Sequence, residues 1–130
     1  FVVLVVDDNA INRKVLSIPL RKQGIEVVEA ENGLLAVEAY AAIRPSLVLM
    51  DISMPVMDGF EATRQIRSLE MATAIQQNPL LDPPQRARIV AATTHSSERD
   101  FQEGKDAGMD DWLLKPIRPS VLVKDILEFR

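Results

Sequence analysis

Three carboxylates stand where apolar runs give way to polar chain: Asp7 and Asp8 directly after Val2 to Val6, and Asp51 directly after Leu47 to Met50. Thr93 ends a fourth apolar run, and Lys115 follows a fifth. Carboxylates brought together repel unless they are protonated or bridged by a cation. An oxygen-only donor set, in a chain with no Cys and the single histidine His95, suits a hard ion such as Mg²⁺. Add a lysine and a hydroxyl, and the set can handle a phosphoryl group: cations neutralise its oxygens, the hydroxyl donates to one of them, and a carboxylate attacks in line to form an acyl phosphate. Each residue also has an ordinary explanation. Asp8 or Asn9 can cap the helix that follows, Asp51 can cap a turn, Thr93 is a common strand residue and Lys115 a common solvated lysine. Taken singly these explanations suffice, but five such residues at strand ends favour the chemistry.

The elements that must position these side chains are legible as periodicity. Val2 to Val6, Leu47 to Met50 and Ile89 to Ala92 are continuous apolar runs of the kind buried on both faces of a parallel sheet, and Ile25 to Val28 and Trp112 to Leu114 are shorter candidates. Helical spacing lies between them: Val15, Leu16 and Leu20 before Gly24, Val37 and Tyr40 after Gly33, and Leu122, Ile126 and Phe129 near the end. Strand and helix alternate five times, which predicts a three-layer α/β domain with a parallel sheet. In a 2-1-3-4-5 order the first and third strands are neighbours, and the acids converge at the crevice where strand order reverses. Asn78 to Arg86, with Pro79, Pro83 and Pro84, cannot continue the helix that begins near Asp58. It is expected as an exposed loop, with a docking insertion as the alternative.

At 130 residues the chain is one domain (1–130), which excludes a two-domain enzyme. Fifteen Lys and Arg against nineteen Asp and Glu give a net charge of −4, which argues against nucleic-acid binding by charge. Without Cys there is no disulfide framework, thiolate zinc site or cysteine nucleophile. No apolar run approaches the roughly 20 residues of a membrane span. The chain opens at Phe1 directly into an apolar run, and so reads as a segment excised from a longer protein.

The segments VLVVDDNAINRKVL, LVLMDISMPVMDGFEATRQIR, IVAATT and AGMDDWLLKPI stand in the order, and at nearly the spacing, of a known family. Across essentially its whole length the chain resembles the receiver domain of two-component response regulators and hybrid histidine kinases. The resemblance implies the flavodoxin-like (βα)5 fold with a five-stranded parallel sheet. It makes Asp51 the phosphoacceptor and gives Mg²⁺ to Asp7, Asp8, Asp51 and the backbone carbonyl of Ser53, with Asp8 the better direct ligand of the first pair. Thr93 becomes the switch hydroxyl, Lys115 the phosphate-contacting lysine before a cis Pro116, and Trp112 the switch aromatic. Asp58 and Gly59 shape the loop after Asp51. Ser53 and His95 fall where the family tunes the lifetime of the acyl phosphate, although a lone histidine at a strand-to-helix junction is ordinarily a solvated polar residue. Two departures stand out: Thr94 is larger than the very small residue usual there, and the Trp112 indole needs a partner for its N–H if buried. The motif style is closest to hybrid-kinase and phosphorelay receivers and leans towards a eukaryotic, fungal source.

The resemblance thus implies a phosphorelay domain that takes a phosphoryl group from the phosphohistidine of a histidine kinase or histidine phosphotransfer protein. It is not an enzyme in the usual sense; it catalyses its own phosphorylation and dephosphorylation. The phosphorylated domain switches the face formed by the fourth helix, fifth strand and fifth helix, or passes the group on to a partner docked beside the first helix. The setting is cytoplasmic, or nuclear in a eukaryote, with no membrane contact, and the parent chain reads as a hybrid histidine kinase. A haloacid-dehalogenase-type phosphohydrolase would need a DxD nucleophile motif and a cap domain. An FMN module would need a hydroxyl- and Gly-rich loop where this chain has Asp7, Asp8 and Asn9. Retention of all five strand-end residues argues against a pseudo-receiver scaffold.

Overall fold

Five strands and five helices alternate through the residues described, 1–76 and 86–129 of a computed structural model. Strand β1 (Val2–Val6) leads to α1 (Ala10–Lys22), β2 (Glu26–Ala30), α2 (Gly33–Ile43) and β3 (Leu47–Met50). Then follow α3 (Gly59–Gln76), β4 (Arg88–Thr93), α4 (Glu98–Ala107), β5 (Asp111–Leu114) and α5 (Pro119–Phe129). All strand pairings are parallel and the order is β2-β1-β3-β4-β5, the flavodoxin-like topology that the apolar runs and the resemblance imply.

Alternation along each strand sends side chains to two cores, one on each face of the sheet. Leu4, Val6, Val48, Met50, Ile89 and Ala91 pack with Tyr40 of α2 and Phe60 and Ile66 of α3. On the opposite face Val3, Val5, Leu47, Leu49, Val90 and Ala92 pack with Leu16 and Leu20 of α1 and Leu122 and Ile126 of α5. Burial on both faces is why these strands read as unbroken apolar runs.

Differences from expectation have local causes. Strand β2 runs two residues past Val28: Glu29 pairs with Val5 and meets Arg13, Lys14 and Arg21, and Ala30 pairs with Val6 and joins the core. Val15, expected among the packed residues of α1, is 46% exposed, and Ile11 and Ile18 join it on an outward apolar stripe. Phe129 is also largely outside the core and packs on Phe1 and Arg88. The expected loop from Asn78 to Arg86 lies outside the described residues except for Arg86, which pairs with Asp110.

Strand register places the chemistry. Val6 pairs with Met50 and Met50 with Ala91, so the residues that follow β1 and β3, Asp7 and Asp51, emerge side by side. Thr93 pairs with Leu114, which brings Lys115 to the same edge.

Candidate functional site

The carboxyl ends of the strands gather Asp7, Asp8, Asp51, Thr93 and Lys115. Asp7, Asp51 and Thr93 are buried, whereas Asp8 is exposed. Asp7 donates its backbone N–H to Ala30, and Asp51 donates its own to Val6, so the sheet ladder itself fixes both. One carboxylate oxygen from each of Asp7, Asp8 and Asp51 lies within 4.8 Å of the others. The Lys115 ammonium is 2.6 Å from Asp7 Oδ2 and 3.7 Å from Asp51 Oδ1. The Lys115–Pro116 peptide is cis, as the resemblance implies.

The capping alternative is resolved by the hydrogen bonds. Asn9 caps α1, its Oδ1 accepting from the N–H groups of Ile11 and Asn12, and Asp8 plays no part. Asp7 Oδ1 accepts from the Asn9 N–H, and Asp51 Oδ1 accepts from its neighbour Ile52. Burial pushes the Asp51 carboxyl up to about 6; Lys115 pulls against that, and Asp7 and Asp8 add to it. Three crowded acids with one lysine are poorly neutralised by the protein alone, and their hard oxygen donors fit a small divalent cation such as Mg²⁺.

The loop between Asp51 and α3 is pinned at both ends. Asp58 caps α3 by accepting from the Glu61 N–H. Gly59 lies so close to the end of β3 that a Cβ there would sit 2.1 Å from the Asp51 carbonyl oxygen. Gly33, at the start of α2, donates its N–H to Met57, and a Cβ there would sit 2.4 Å from the same carbonyl oxygen. Between these anchors Val56 takes φ 72°, a strained value for a β-branched residue.

Around the mouth, Thr93 Oγ1 accepts from the His95 N–H at 3.2 Å, and Thr94 is exposed. His95 is not simply solvated: its Nε2 lies 2.7 Å from Ser53 Oγ and its Nδ1 3.2 Å from Asp100 Oδ2. Trp112 finds the partner its N–H requires in the His95 carbonyl at 2.9 Å, and its ring meets Phe101 edge-on. Sequence reasoning passed over three contributors here: Asp100, Gly33, and Arg13, which donates to the Asp7 carbonyl at 2.7 Å. Arg13 carries no sequence signal for this contact. For Asp100 the Ser97–Asp100 spacing signals a helix cap but not the contact with His95.

A family model described as the response regulator receiver domain matches residues 3–127. The chain belongs to the receiver domain family. This receiver is 38% identical over 130 residues to hybrid signal transduction histidine kinase B of Dictyostelium discoideum, covering 97% of the chain but 6% of that kinase's length. It superposes on the receiver domain of Ssk1 from Saccharomyces cerevisiae, co-crystallised with the histidine phosphotransfer protein Ypd1, with a TM-score of 0.85 and 35% identity. That match covers 98% of the receiver and 87% of the other chain. The receiver domain of sensor histidine kinase PA1611 from Pseudomonas aeruginosa matches with a TM-score of 0.78 at 32% identity, covering 98% and 94%. Its structure has a magnesium ion coordinated in the active-site cleft. The receiver is therefore a phosphoacceptor signalling module rather than an enzyme in the usual sense, with an acidic cluster consistent with Mg²⁺-dependent phosphoryl transfer. No helix among the described residues is long and apolar enough to cross a membrane.

Proposed function

We propose that residues 1–130 act as one phosphorelay receiver that takes a phosphoryl group from a phosphohistidine onto Asp51. The observation that carries this reading is the convergence of Asp7, Asp8 and Asp51 with Lys115 seated between the two buried acids. Asp51 attacks phosphorus as a carboxylate; the P–N bond to the donor imidazole breaks and its electron pair returns to the ring. Lys115 neutralises a phosphoryl oxygen, and the Thr93 hydroxyl donates to another while still accepting from the His95 N–H. Mg²⁺, held by Asp7, Asp8, Asp51 and the Ser53 carbonyl, supplies further neutralising charge when bound. Ser53 and His95 then govern how fast water removes the group.

The donor is a histidine phosphotransfer protein or the phosphohistidine domain of a kinase. Support comes from the Ssk1 receiver seated with Ypd1 and from the α1 stripe of Ile11, Val15 and Ile18, which continues from the loop carrying Asp8. Such a stripe offers a helical partner an apolar seat beside the reacting acids. Trp112 links Thr93's loop to β5, which favours a phosphate-dependent change of the α4–β5–α5 face as the output. The Cys-free composition suits a reducing cytoplasm.

Incubation with phosphoramidate, with and without Mg²⁺, tests the reading by intact mass. One phosphoryl group should be gained only with Mg²⁺ and lost in Asp51→Asn, with a parallel change in Trp112 fluorescence. No gain in a folded protein would leave a scaffold in its place.

A further inference from the structure

His95 is held at four points. Its N–H reaches Thr93 Oγ1, its carbonyl accepts from the Trp112 indole, its Nε2 meets Ser53 Oγ and its Nδ1 meets Asp100 Oδ2. The same Asp100 oxygen accepts from the Ser97 hydroxyl at 2.8 Å, while the Asp100 N–H donates to Ser97 Oγ and closes the cap of α4. The Ser97 hydroxyl first, and then His95, hold the Asp100 carboxyl below its usual range, so it stands as a carboxylate.

The direction of the proton chain follows from what each group can do. A carboxylate only accepts, so in the neutral ring Nδ1 carries the proton and Nε2 is an acceptor. The Ser53 hydroxyl must then donate to Nε2, which leaves its lone pairs free only as acceptors. A water that reaches Ser53 from the cleft therefore donates to Oγ and keeps a lone pair for attack. The order of contacts is hydroxyl, imidazole, carboxylate, with the hydroxyl relaying a proton instead of acting as nucleophile.

We propose that Asp100 is a positioning residue for hydrolysis of the phosphoryl group on Asp51, acting through His95 to hold the Ser53 hydroxyl as acceptor for the attacking water. This rests on the reading of Ser53 and His95 as the residues that govern phosphoryl lifetime. In the step, the water oxygen bonds to phosphorus and the P–O bond to Asp51 breaks, its electron pair returning to the carboxylate. Ser53 takes a proton from the water as it passes its own to His95 Nε2, and that proton then leaves to solvent. The products are the Asp51 carboxylate, inorganic phosphate and one proton.

The test phosphorylates the domain with phosphoramidate, removes the donor and follows the loss of phosphate by intact mass, alongside ¹⁵N NMR of the His95 ring. Asp100→Ala should slow hydrolysis by about tenfold, as much as His95→Ala, with the double variant no slower than either. Asp100→Asn, which keeps an acceptor for Nδ1, should recover most of the rate. Glu98→Ala, which removes a charge from the same first turn of α4 but no partner of His95 or Asp100, should hydrolyse like the wild type. The ring should be an Nδ1–H tautomer in the wild type and a mixture in Asp100→Ala. An unchanged rate or tautomer in Asp100→Ala, with His95→Ala slow, overturns the role of Asp100 and leaves the lifetime reading standing. Slowing in Glu98→Ala equal to that in Asp100→Ala assigns the effect to the charge at the α4 terminus and overturns it too. Wild-type rates in both Ser53→Ala and His95→Ala overturn the lifetime reading along with it.

Discussion

The Lys115 ammonium lies between two buried carboxylates, 2.6 Å from Asp7 and 3.7 Å from Asp51, so one cation serves both. Removing it leaves three crowded acids facing one another, and it also removes the positive charge that competes with a bound cation. Lys115→Met should therefore melt lower than the wild type in chelator and recover when Mg²⁺ is added. Its Mg²⁺ affinity should rise by about 2 kcal/mol, the Coulomb energy of a unit charge some 4 Å from a divalent one in water. Titration followed by Trp112 fluorescence checks this; weaker Mg²⁺ binding would contradict it.

Gly59 is a glycine for lack of space. A methyl group there meets the Asp51 carbonyl oxygen at 2.1 Å, and both partners are backbone. Gly59→Ala should cost about 1–3 kcal/mol in urea unfolding. Because the displaced atom belongs to Asp51, the proposed phosphoacceptor, the variant should also lose phosphorylation from phosphoramidate, whereas an Ala substitution at exposed Glu61 should change neither.

Gly104 makes room for Trp112. A Cβ on Gly104 would sit 2.5 Å from the indole Cζ3, so Gly104→Ala must tilt the ring and strain its bond to the His95 carbonyl. The expected outcome is an altered emission spectrum and a shifted indole N–H resonance in the unphosphorylated protein. Phosphorylation itself should continue, since no strand-end residue moves.

Asp110, after α4, accepts from the Ile89 N–H and pairs with Arg86 and Arg67. Burial opposes its charge, but these donors outweigh the burial and hold the carboxyl below its ordinary 3.8. A depressed value gives stability that is present above the unfolded-state pKa and lost as pH falls through the folded one. The urea midpoint should therefore fall as pH drops through and below the ordinary carboxylate range, and fall less in Asp110→Asn, which is already weaker at neutral pH. Parallel curves for the two proteins would refute the assignment.

The strand-end acids, Thr93 and Lys115 were legible because doubly buried strands advertise themselves as apolar runs and their ends are marked by the first charge. Strand order was legible from the same pattern together with the family's motifs. What was not legible depends on approach through space. Nothing in the spacing of Ser53, His95 and Asp100 says that one imidazole bridges the loop after β3 and the first turn of α4, and nothing at Gly104 says that an indole lies over it. Val15 was misplaced because α1 carries apolar residues on two faces, and periodicity alone cannot say which face is inward. The end of β2 was not legible because a charge, Glu29, interrupts the apolar run although the backbone pairing continues to the buried Ala30.

On α1, Ile11, Val15 and Ile18 face outward and belong to neither core, while Leu16 and Leu20 on the other side anchor the helix to the sheet. What this helix offers outward is thereby set by residues that neither hold the fold nor touch the acids. On the proposed reading of that stripe as the partner's seat, copies of such a domain can drift apart in whom they listen to without changing an atom of the acidic cluster or a strand of the fold that holds it.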